Sequence, residues 1–440
     1  MKTCFAPWQV FFAALFYILV LSTSNLHAEG NNISPLPEPL TLEYALQLAG
    51  EPHPDIALSK AELKQAEAKY LGIKSDLGVN ASLFGRAQWV EPPKPAPDQS
   101  HNDSSLSFYA KKKIFDFGKS SLKVSAAETE IKANRLLYTD TLNRRRMEIM
   151  ERFFDVLLAD LEFIRDREAV AVVFYIYQRL TGGKELGQAS ELDFLEAESK
   201  YMEARRKRAV SEMRQQLTRA LLAEALNCPG MPPVTLAEPE LPYINRELTE
   251  VEELTKKAFI NDPAILALRA KVEAARERLK AARAEGNPIL SAEFEASAHE
   301  REFGSRDRLR AGLILEIPLF TGGRTEAGIA GYAAELHRLE ARLSRREMDL
   351  RQAVFEAWQQ IRVLHYQLEE VQSLIKYSDL YLDRSRTIYE QGLKAYLGDA
   401  MVRYSEARLR LAQTRYALTL AWARLDALTG KVVFKGGSNE

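Results

Sequence analysis

The sequence repeats itself once, and this duplication limits its fold more than any other feature. Residues 115–119 (Phe-Asp-Phe-Gly-Lys) precede one long helical pattern, and residues 320–324 (Phe-Thr-Gly-Gly-Arg) precede a second about 205 positions later. The same shift aligns Gly187 with Gly392. Two copies of a unit of this size are typical of structural and assembly proteins, in which one element is repeated around an axis. We therefore expect an architectural function rather than a catalytic cleft.

The N-terminus has the pattern of a secretory signal peptide at residues 1–28. Lys2 is followed by the apolar run Val10–Leu21 and then by the small-residue ending Leu26–Ala28. The apolar run is shorter than the ~20 residues that a membrane-spanning helix needs, so an uncleaved anchor is the less favoured alternative. No later apolar run approaches that length. We expect an exported protein without a transmembrane helix.

Cysteine content and charge narrow the possibilities further. Cleavage of the signal removes Cys4 and leaves Cys228 alone, so no intrachain disulfide is expected. Cys4 also lies too far upstream of the cleavage region to become the acylated residue of a lipoprotein. The formal net charge of −1 gives no indication of a nucleic-acid partner. Two possibilities remain, a soluble exported protein or a β-barrel in an outer membrane.

Proline and glycine divide the rest of the chain. A helical pattern from residue 42 to about residue 77 is interrupted by Pro52 and Pro54, and its repeat partner at 247–285 is interrupted at Pro263. The predicted organisation is a signal peptide at 1–28, an extended segment at 29–41, a first repeat at 42–227, a linker at 228–246, a second repeat at 247–430 and a C-terminal tail at 431–440.

Two long helices are predicted. Residues 119–181 contain no Gly or Pro, which corresponds to a helix of roughly 95 Å, and residues 332–391 are a similar stretch. Each is expected to turn back near a glycine into a return helix, at 188–227 and 393–429. Apolar residues that follow a seven-residue repeat predict that these helices pack against other helices along their whole length. These residues are Met150, Phe154, Leu157, Leu161 and Ile164 in the first half, and Val354, Trp358, Ile361, Leu368 and Ile375 in the second.

One histidine, His365, occupies a position in the second of these apolar seams. We expect a packed, hydrogen-bonded side chain rather than a metal ligand, because no second metal-binding residue stands at i±4.

Four short segments alternate apolar and polar residues. They lie at 81–89 and 105–111 in the first half, and at 290–299 and 309–317 in the second. Strands of about ten residues with one apolar and one polar face fit transmembrane β-strands whose polar face lines water, although a half-buried soluble sheet has the same period. Four strands cannot close a barrel, so strands in a membrane would require several copies of the chain.

Five short motifs carry a resemblance to a known family. They are Asn261–Pro263, with Pro52–Pro54 in the first half, and Ile317–Arg324, Tyr389–Gly392 and Leu425–Gly430. In these motifs the chain resembles the TolC-like outer-membrane efflux proteins, whose two repeats each give a β-hairpin and a long helical hairpin. The resemblance extends over nearly all of the mature chain, but residues 111–115 lack the proline usual at the strand exit.

The resemblance implies a mainly α fold with a small β part: duplicated antiparallel helical hairpins plus four amphipathic strands. In this family the strands supply a third of a trimeric 12-stranded outer-membrane barrel, which continues into a periplasmic tunnel of 12 helices. The implied partners are two further copies of the chain, a periplasmic adaptor protein, an inner-membrane pump and outer-membrane lipid. The cargo cannot be read from the sequence.

The resemblance also implies functional residues at the helical turns, where links between hairpins close the tunnel. Charged or polar side chains at helix ends can lock a tip in one state and release it in another. An acidic ring in the lumen is less well matched, since Asp399 is one position away from the family's acids. The candidate tip and adaptor-contact residues are Gly187, Ser190, Asp193, Tyr389, Gly392, Lys394 and Asp399.

Enzyme motifs are not found. Residues 118–120 (Gly-Lys-Ser) look like the end of a phosphate-binding loop, but Lys113 stands where its first glycine is required. We expect no catalytic residue, no cofactor and no metal site. The main alternative is a soluble periplasmic coiled-coil adaptor or scaffold, which explains the helices but neither the two amphipathic hairpins nor the duplication.

Overall fold

The computed structural model describes residues 36–50, 53–94, 96, 98–185, 189–241, 243–244, 246–301, 307–391 and 396–431. All of its regular elements belong to one compact unit that begins at Glu38. The helices are α1 (Leu42–Gln47), α2 (Pro54–Ser75), α3 (Lys119–Glu185), α4 (Glu191–Ala225), α5 (Val251–Asn261), α6 (Pro263–Arg283), α7 (Arg324–Glu390) and α8 (Leu397–Leu428). The strands are β1 (Val79–Arg86), β2 (Ser105–Phe115), β3 (Ile289–His299) and β4 (Leu309–Glu316).

The predicted duplication is present in the lengths of the helices. Helices α3 and α7 each contain 67 residues, about 100 Å, and their first residues, Lys119 and Arg324, are separated by the repeat shift. Helix α3 continues past the predicted end through Gly182 and Gly183, because each glycine costs a helix only about 1 kcal/mol. The return helices α4 and α8 complete two antiparallel hairpins.

The first predicted strand is too long by three residues. Strand β1 ends at Arg86, and Trp89 lies in the following loop, where it forms an isolated bridge with Asn102 and stacks on His101 at 5.2 Å between ring centroids. The alternating pattern extends to Trp89, but the prolines that follow it cannot donate to a sheet ladder. The pairing of β1 with β2 therefore ends before the loop.

The four strands form one antiparallel sheet in the order β1-β2-β3-β4. The β2–β3 pairing, in which Phe108 lies opposite Ala296, joins the two repeats. Its register places the apolar faces of all four strands on the same side of the sheet, because side chains alternate with period two. Strands β1 and β4 are the edges of this sheet.

The long helices lie side by side in the order α4-α3-α8-α7. Helix α3 packs against both α4 and α8, and α7 packs against α8. Helix α2 packs on α3, whereas α6 packs on both α3 and α7. The two outermost long helices are α4 and α7, so the helical layer, like the sheet, has two lateral edges.

The apolar seam predicted for α7 is largely confirmed. Val354, Ile361 and Leu368 are buried together with Leu418 and Trp422 of α8. His365 is half-buried, and its Nδ1 lies 2.8 Å from the backbone oxygen of Ile361, so the predicted packed histidine is present.

The seam predicted for α3 is partly wrong. Met150 and Phe154 are buried, but Leu157, Leu161 and Ile164 are only half-buried, while Ile149, Phe153 and Val156 are fully buried. A single heptad stripe assumes one packing partner. Helix α3 has several, α4, α6 and α8 among them, so it buries more than one face.

The linker between the repeats, residues 228–246, is held at two points. Leu236 forms a parallel bridge with Leu40. Arg246 makes two hydrogen bonds to Asp426, at 2.8 and 2.9 Å, and its guanidinium lies 4.3 Å from the ring centre of Trp422. These contacts fix the linker to the segment that precedes α1 and to helix α8.

Candidate functional site

Each strand hairpin enters its long helix through two residues with positive φ. In the first repeat these are Phe117 (φ 53°) and Gly118 (φ 88°), and in the second they are Gly322 (φ 62°) and Gly323 (φ 83°). Asp116 caps the first helix by accepting hydrogen bonds from the backbone nitrogen of Ser120 at 3.1 and 3.2 Å. The two sequence motifs that revealed the duplication are therefore turns that direct each helix away from the sheet.

Ser190 caps the N-terminus of α4 beside the turn of the first hairpin. The hydroxyl of Ser190 accepts from the backbone nitrogen of Asp193 at 3.1 Å and donates to its carboxylate at 2.9 Å. Lys184, at the end of α3, lies 2.9 Å from the carboxylate of Glu191 and 4.3 Å from the ring centre of Phe194. Of the candidate residues, the structure brings Ser190 and Asp193 together.

The turn of the second hairpin shows two candidate residues in separate environments. Tyr389, in the last turn of α7, is 62% exposed. Asp399, in the first turn of α8, pairs with Arg403 at 2.7 Å on its own helix. In the described part of the chain no hydrogen bond joins Asp193 to Tyr389.

The remaining candidates, Gly187, Gly392 and Lys394, lie outside the described residues. The tip link that the resemblance implies joins neighbouring hairpins of an assembly, and the structure describes one copy of the chain. This link therefore stays a prediction.

A polar network between α3 and α8, which the sequence did not predict, connects the two hairpins farther from their turns. Arg165 of α3 donates to Glu406 of α8 at 2.9 Å and to the neighbouring Asp166 at 2.8 Å. Ser405 donates to Glu168 across the same seam. These partners are separated by more than 230 positions, so no periodicity could reveal the pairing.

Burial and hydrogen bonding act in opposite directions on this network. Burial opposes the ionisation of Glu406, but hydrogen bonds from Arg165 and Arg410 outweigh it and hold the pKa of Glu406 below its usual value. Farther along the seam, the ring of Tyr416 stacks on Phe154 at 4.5 Å, and burial raises the pKa of Tyr416 to about 12. The seam therefore combines apolar packing with charged hydrogen bonds.

The two helices of this seam also approach each other closely near the turns. A Cβ atom added at Gly398, in the first turn of α8, would lie 2.7 Å from a methyl carbon of Val172 on α3. The helices can approach this closely because glycine has no side chain.

The sheet has one apolar and one polar face. On the polar face, Lys111 pairs with Glu293 at 2.5 Å and Arg310 lies 3.8 Å from Glu295. The apolar face is exposed and continuous over the four strands. The register assigns to it Val79, Ala81, Leu83, Leu106, Phe108, Ala110, Leu290, Ala292, Phe294, Ala296, Ala298, Leu309, Ala311, Leu313 and Leu315, together with Gly85 and Lys112.

Large apolar side chains are also exposed where the sheet meets the helices. Leu319 and Phe320 are 93% and 91% exposed, and Phe115 and Phe117 contact each other with ring centroids 4.8 Å apart. Aromatic residues at the end of an apolar band are typical of a membrane–water interface. No helix in the described part of the chain combines the length and apolar character needed to cross a bilayer.

In a comparison with known sequences, most of the second repeat matches the model of a protein family. The sequence model of the outer membrane efflux protein family matches residues 254–431. No curated protein sequence matches the chain significantly.

The fold is shared with solved outer-membrane channels. A membrane protein from Pseudomonas aeruginosa aligns with a TM-score of 0.71 and 19% identity, covering 88% of this chain and 93% of that one. VceC, an outer membrane protein of Vibrio cholerae, gives 0.70 and 17%, with coverage of 89% and 97%. The Campylobacter jejuni CmeC outer membrane channel gives 0.72 and 14%, with coverage of 90% and 87%. The second repeat thus matches the sequence pattern of the outer membrane efflux protein family, and the described chain has the fold of these solved outer-membrane proteins.

Proposed function

We propose that this chain is one protomer of an outer-membrane channel that serves as the exit duct of an envelope-spanning efflux or secretion system. The observation that carries the proposal is the sheet, with its exposed apolar face and its two unpaired edge strands, β1 and β4. An unpaired backbone group in lipid costs several kcal/mol. The sheet is therefore suited to a membrane only if other copies pair with its edges.

The helical layer supports the same assembly. Its lateral edges are α4 and α7, and both carry exposed apolar side chains at helical spacing. On α4 these are Leu192, Leu195, Met202, Val210, Met213 and Leu217. On α7 they are Met348, Phe355, Val363, Tyr366, Tyr377 and Leu380.

Unlike edges at the two sides of one protomer fit a head-to-tail interface that closes into a ring. Edge α4 of one copy then packs on edge α7 of the next, and β1 pairs with β4 in the same way. Three copies, the number that the family resemblance implies, give a 12-stranded barrel and a tunnel of 12 helices. We propose this homotrimer as the functional form.

The proposed orientation follows from the sheet. The apolar sheet lies in the outer membrane, and the helices of both repeats, at 42–227 and 247–430, extend into the periplasm. The hairpin turns then face a periplasmic adaptor and an inner-membrane pump. Ser190, Asp193, Tyr389 and Asp399, with Gly187, Gly392 and Lys394, are proposed to take part in closing the tip and contacting the adaptor.

A soluble periplasmic scaffold, the second candidate, leaves the apolar face of the sheet unexplained. A matched pair of substitutions on β4 distinguishes the channel from the scaffold. Leu313→Arg places a charge on the apolar face, and Ile314→Arg places the same charge on the polar face one residue away. A charge facing lipid costs about 2–4 kcal/mol at the bilayer midplane.

The measurement is fractionation of the membranes followed by a heat-modifiability gel. We expect the wild type and Ile314→Arg in the outer membrane as a heat-dissociable trimer, and Leu313→Arg to be strongly reduced there. A monomeric wild-type protein in the soluble fraction would refute the channel and favour the scaffold.

A further inference from the structure

The apolar face of the sheet carries a single charge. Among the described residues of that face only Lys112 is charged. Its two neighbours point to the other face and are engaged there: Lys111 pairs with Glu293 at 2.5 Å, and Lys113 donates to Ser120 at 3.1 Å. Lys112 has no such partner in the described part of the chain. A lysine on a lipid-facing surface extends its ammonium toward the phosphate layer.

The sheet is indented next to this lysine. A groove of about 540 Å³ opens on the apolar face. Its three alanines lie diagonally to one another, because Ala110 and Ala311 are both opposite Phe294, whereas Ala292 is opposite Lys112 and Leu313. The residues of this face that line it are Ala110, Ala292 and Ala311, with Val79, Lys112, Phe294 and Leu313 around them.

Strand direction determines which end of the groove is charged. Strand β2 runs toward α3, and Lys112 follows Ala110 by two residues, so the Cα of Lys112 lies about 7 Å nearer the helices than that of Ala110. The row formed by Ala110, Phe294 and Ala311 therefore lies on the loop side of Lys112, and Ala292 is level with Lys112. A molecule that fits this arrangement has an anionic group on the helix side and a hydrocarbon chain on the loop side.

We propose that Lys112 and the alanine groove, meaning Ala110, Ala292 and Ala311, form a binding site for one anionic phospholipid per protomer. The lipid comes from the leaflet that faces the helices. Its phosphate pairs with the Lys112 ammonium, and one acyl chain lies on the alanines. This inference rests on the proposed membrane insertion of the sheet and names a partner for that surface.

The test uses purified full-length trimer in dodecyl maltoside, to which phosphatidylglycerol is added, and counts bound lipid by native mass spectrometry. Lys112→Gln removes the charge, and Lys111→Gln is the matched control with the same change on the polar face. Ala292→Leu fills the groove and keeps Lys112. We expect about fivefold weaker binding for Lys112→Gln, weaker binding for Ala292→Leu, and wild-type binding for Lys111→Gln.

Equal lipid binding by Lys112→Gln and the wild type would overturn the site. So would displacement of the lipid by millimolar inorganic phosphate, which would indicate a simple anion site. All variants should still fractionate with the outer membrane as trimers. Absence of the wild type from that membrane would contradict the proposed function, whereas loss of the difference between Lys112→Gln and Lys111→Gln contradicts only the lipid site.

Discussion

At the scale of single residues, two glycines of the second repeat are needed for different structural reasons. Gly323 has a positive φ with open space around it, so it is required for backbone conformation alone. Gly430 also has a positive φ, of 78°, and in addition it touches Asn261 at the end of α5. It therefore terminates α8 and permits close approach of another helix at the same time.

We predict that Gly430→Ala destabilises the protein by about 2 kcal/mol or more. The left-handed conformation costs a non-glycine residue about 1–2 kcal/mol, and the new Cβ would lie 2.5 Å from the Cβ of Asn261. Gly286→Ala is the control, since no atom lies within 4 Å of its Cβ and its φ is not positive. Thermal unfolding followed by circular dichroism should show a lower midpoint for Gly430→Ala only, and equal midpoints would contradict the strain.

At the scale of secondary-structure elements, the contact between α3 and α8 joins the two helical hairpins of one protomer. Arg165, Glu168, Ser405 and Glu406 form its polar part. Gly398 forms its tight part near the turns. The polar part leads to a prediction on how stability depends on pH, and the tight part leads to a prediction on helix packing.

The Arg165–Glu406 pair should make stability depend on pH. Because the folded pKa of Glu406 is lowered, its contribution is complete above the usual glutamate pKa of about 4.3 and is lost as the pH falls through the folded value. Glu406→Gln should therefore cost about 1 kcal/mol at pH 7 and less at pH 3.5, a small figure because the pair is partly exposed. Unfolding midpoints at both pH values provide the measurement.

The control for this pair is Glu212→Gln, an exposed position on α4. We expect it to leave the midpoints at both pH values unchanged. A difference between Glu406→Gln and the wild type that stays constant from pH 7 to pH 3.5 would show that Glu406 does not stabilise the seam through its charge.

Gly398→Leu should separate the first turn of α8 from α3, because its Cβ would lie 2.7 Å from Val172. If the hairpin turns close the channel, this separation opens it, and the conductance of reconstituted trimers rises. Gly331→Leu, on α7 where an added Cβ meets no atom within 4 Å, should leave conductance at the wild-type value. Equal conductance of the two variants in correctly assembled trimers would argue against a gating function of this contact.

At the scale of the whole molecule, one protomer has unsatisfied edges in both of its layers. The sheet ends in β1 and β4, and the helical layer ends in α4 and α7. A single ring of copies completes both layers at once, because every copy offers the same two unlike edges. In such a ring each contact between hairpin turns occurs once per interface.

The tip link itself is predicted to act through this repetition. Asp193→Ala combined with Tyr389→Phe should raise ion conductance of the reconstituted trimer more than either change alone. One exposed polar link contributes about 0.2–1 kcal/mol, and a ring multiplies that term into a useful bias toward the closed state. Neither residue lies in a strand, so assembly and membrane insertion should be unaffected.

The readout is single-channel conductance in planar bilayers, after the trimer has been verified on a gel. If the double variant and the wild type have equal conductance, Asp193 and Tyr389 do not take part in closing the channel. The local bond from Ser190 to Asp193 would then be the whole role of that carboxylate, as a cap of α4.

Local patterns were sufficient to predict most elements. The glycine-free stretches predicted both 67-residue helices, and the prolines at 54 and 263 correctly marked the starts of α2 and α6. Alternation predicted all four strands, although it extended the first to Trp89. These features depend on neighbours along the chain, which is why one sequence suffices to read them.

Contacts between distant segments were decided only by the tertiary structure. The register between β2 and β3 merges four apolar faces into one surface, on which Lys112 is the single charge among the described residues. The packing of α3 on α8 brings Arg165 to Glu406 and stacks Phe154 on Tyr416. A periodic pattern indicates that a face is buried but not what covers it, since partners hundreds of positions apart leave no local trace in one sequence.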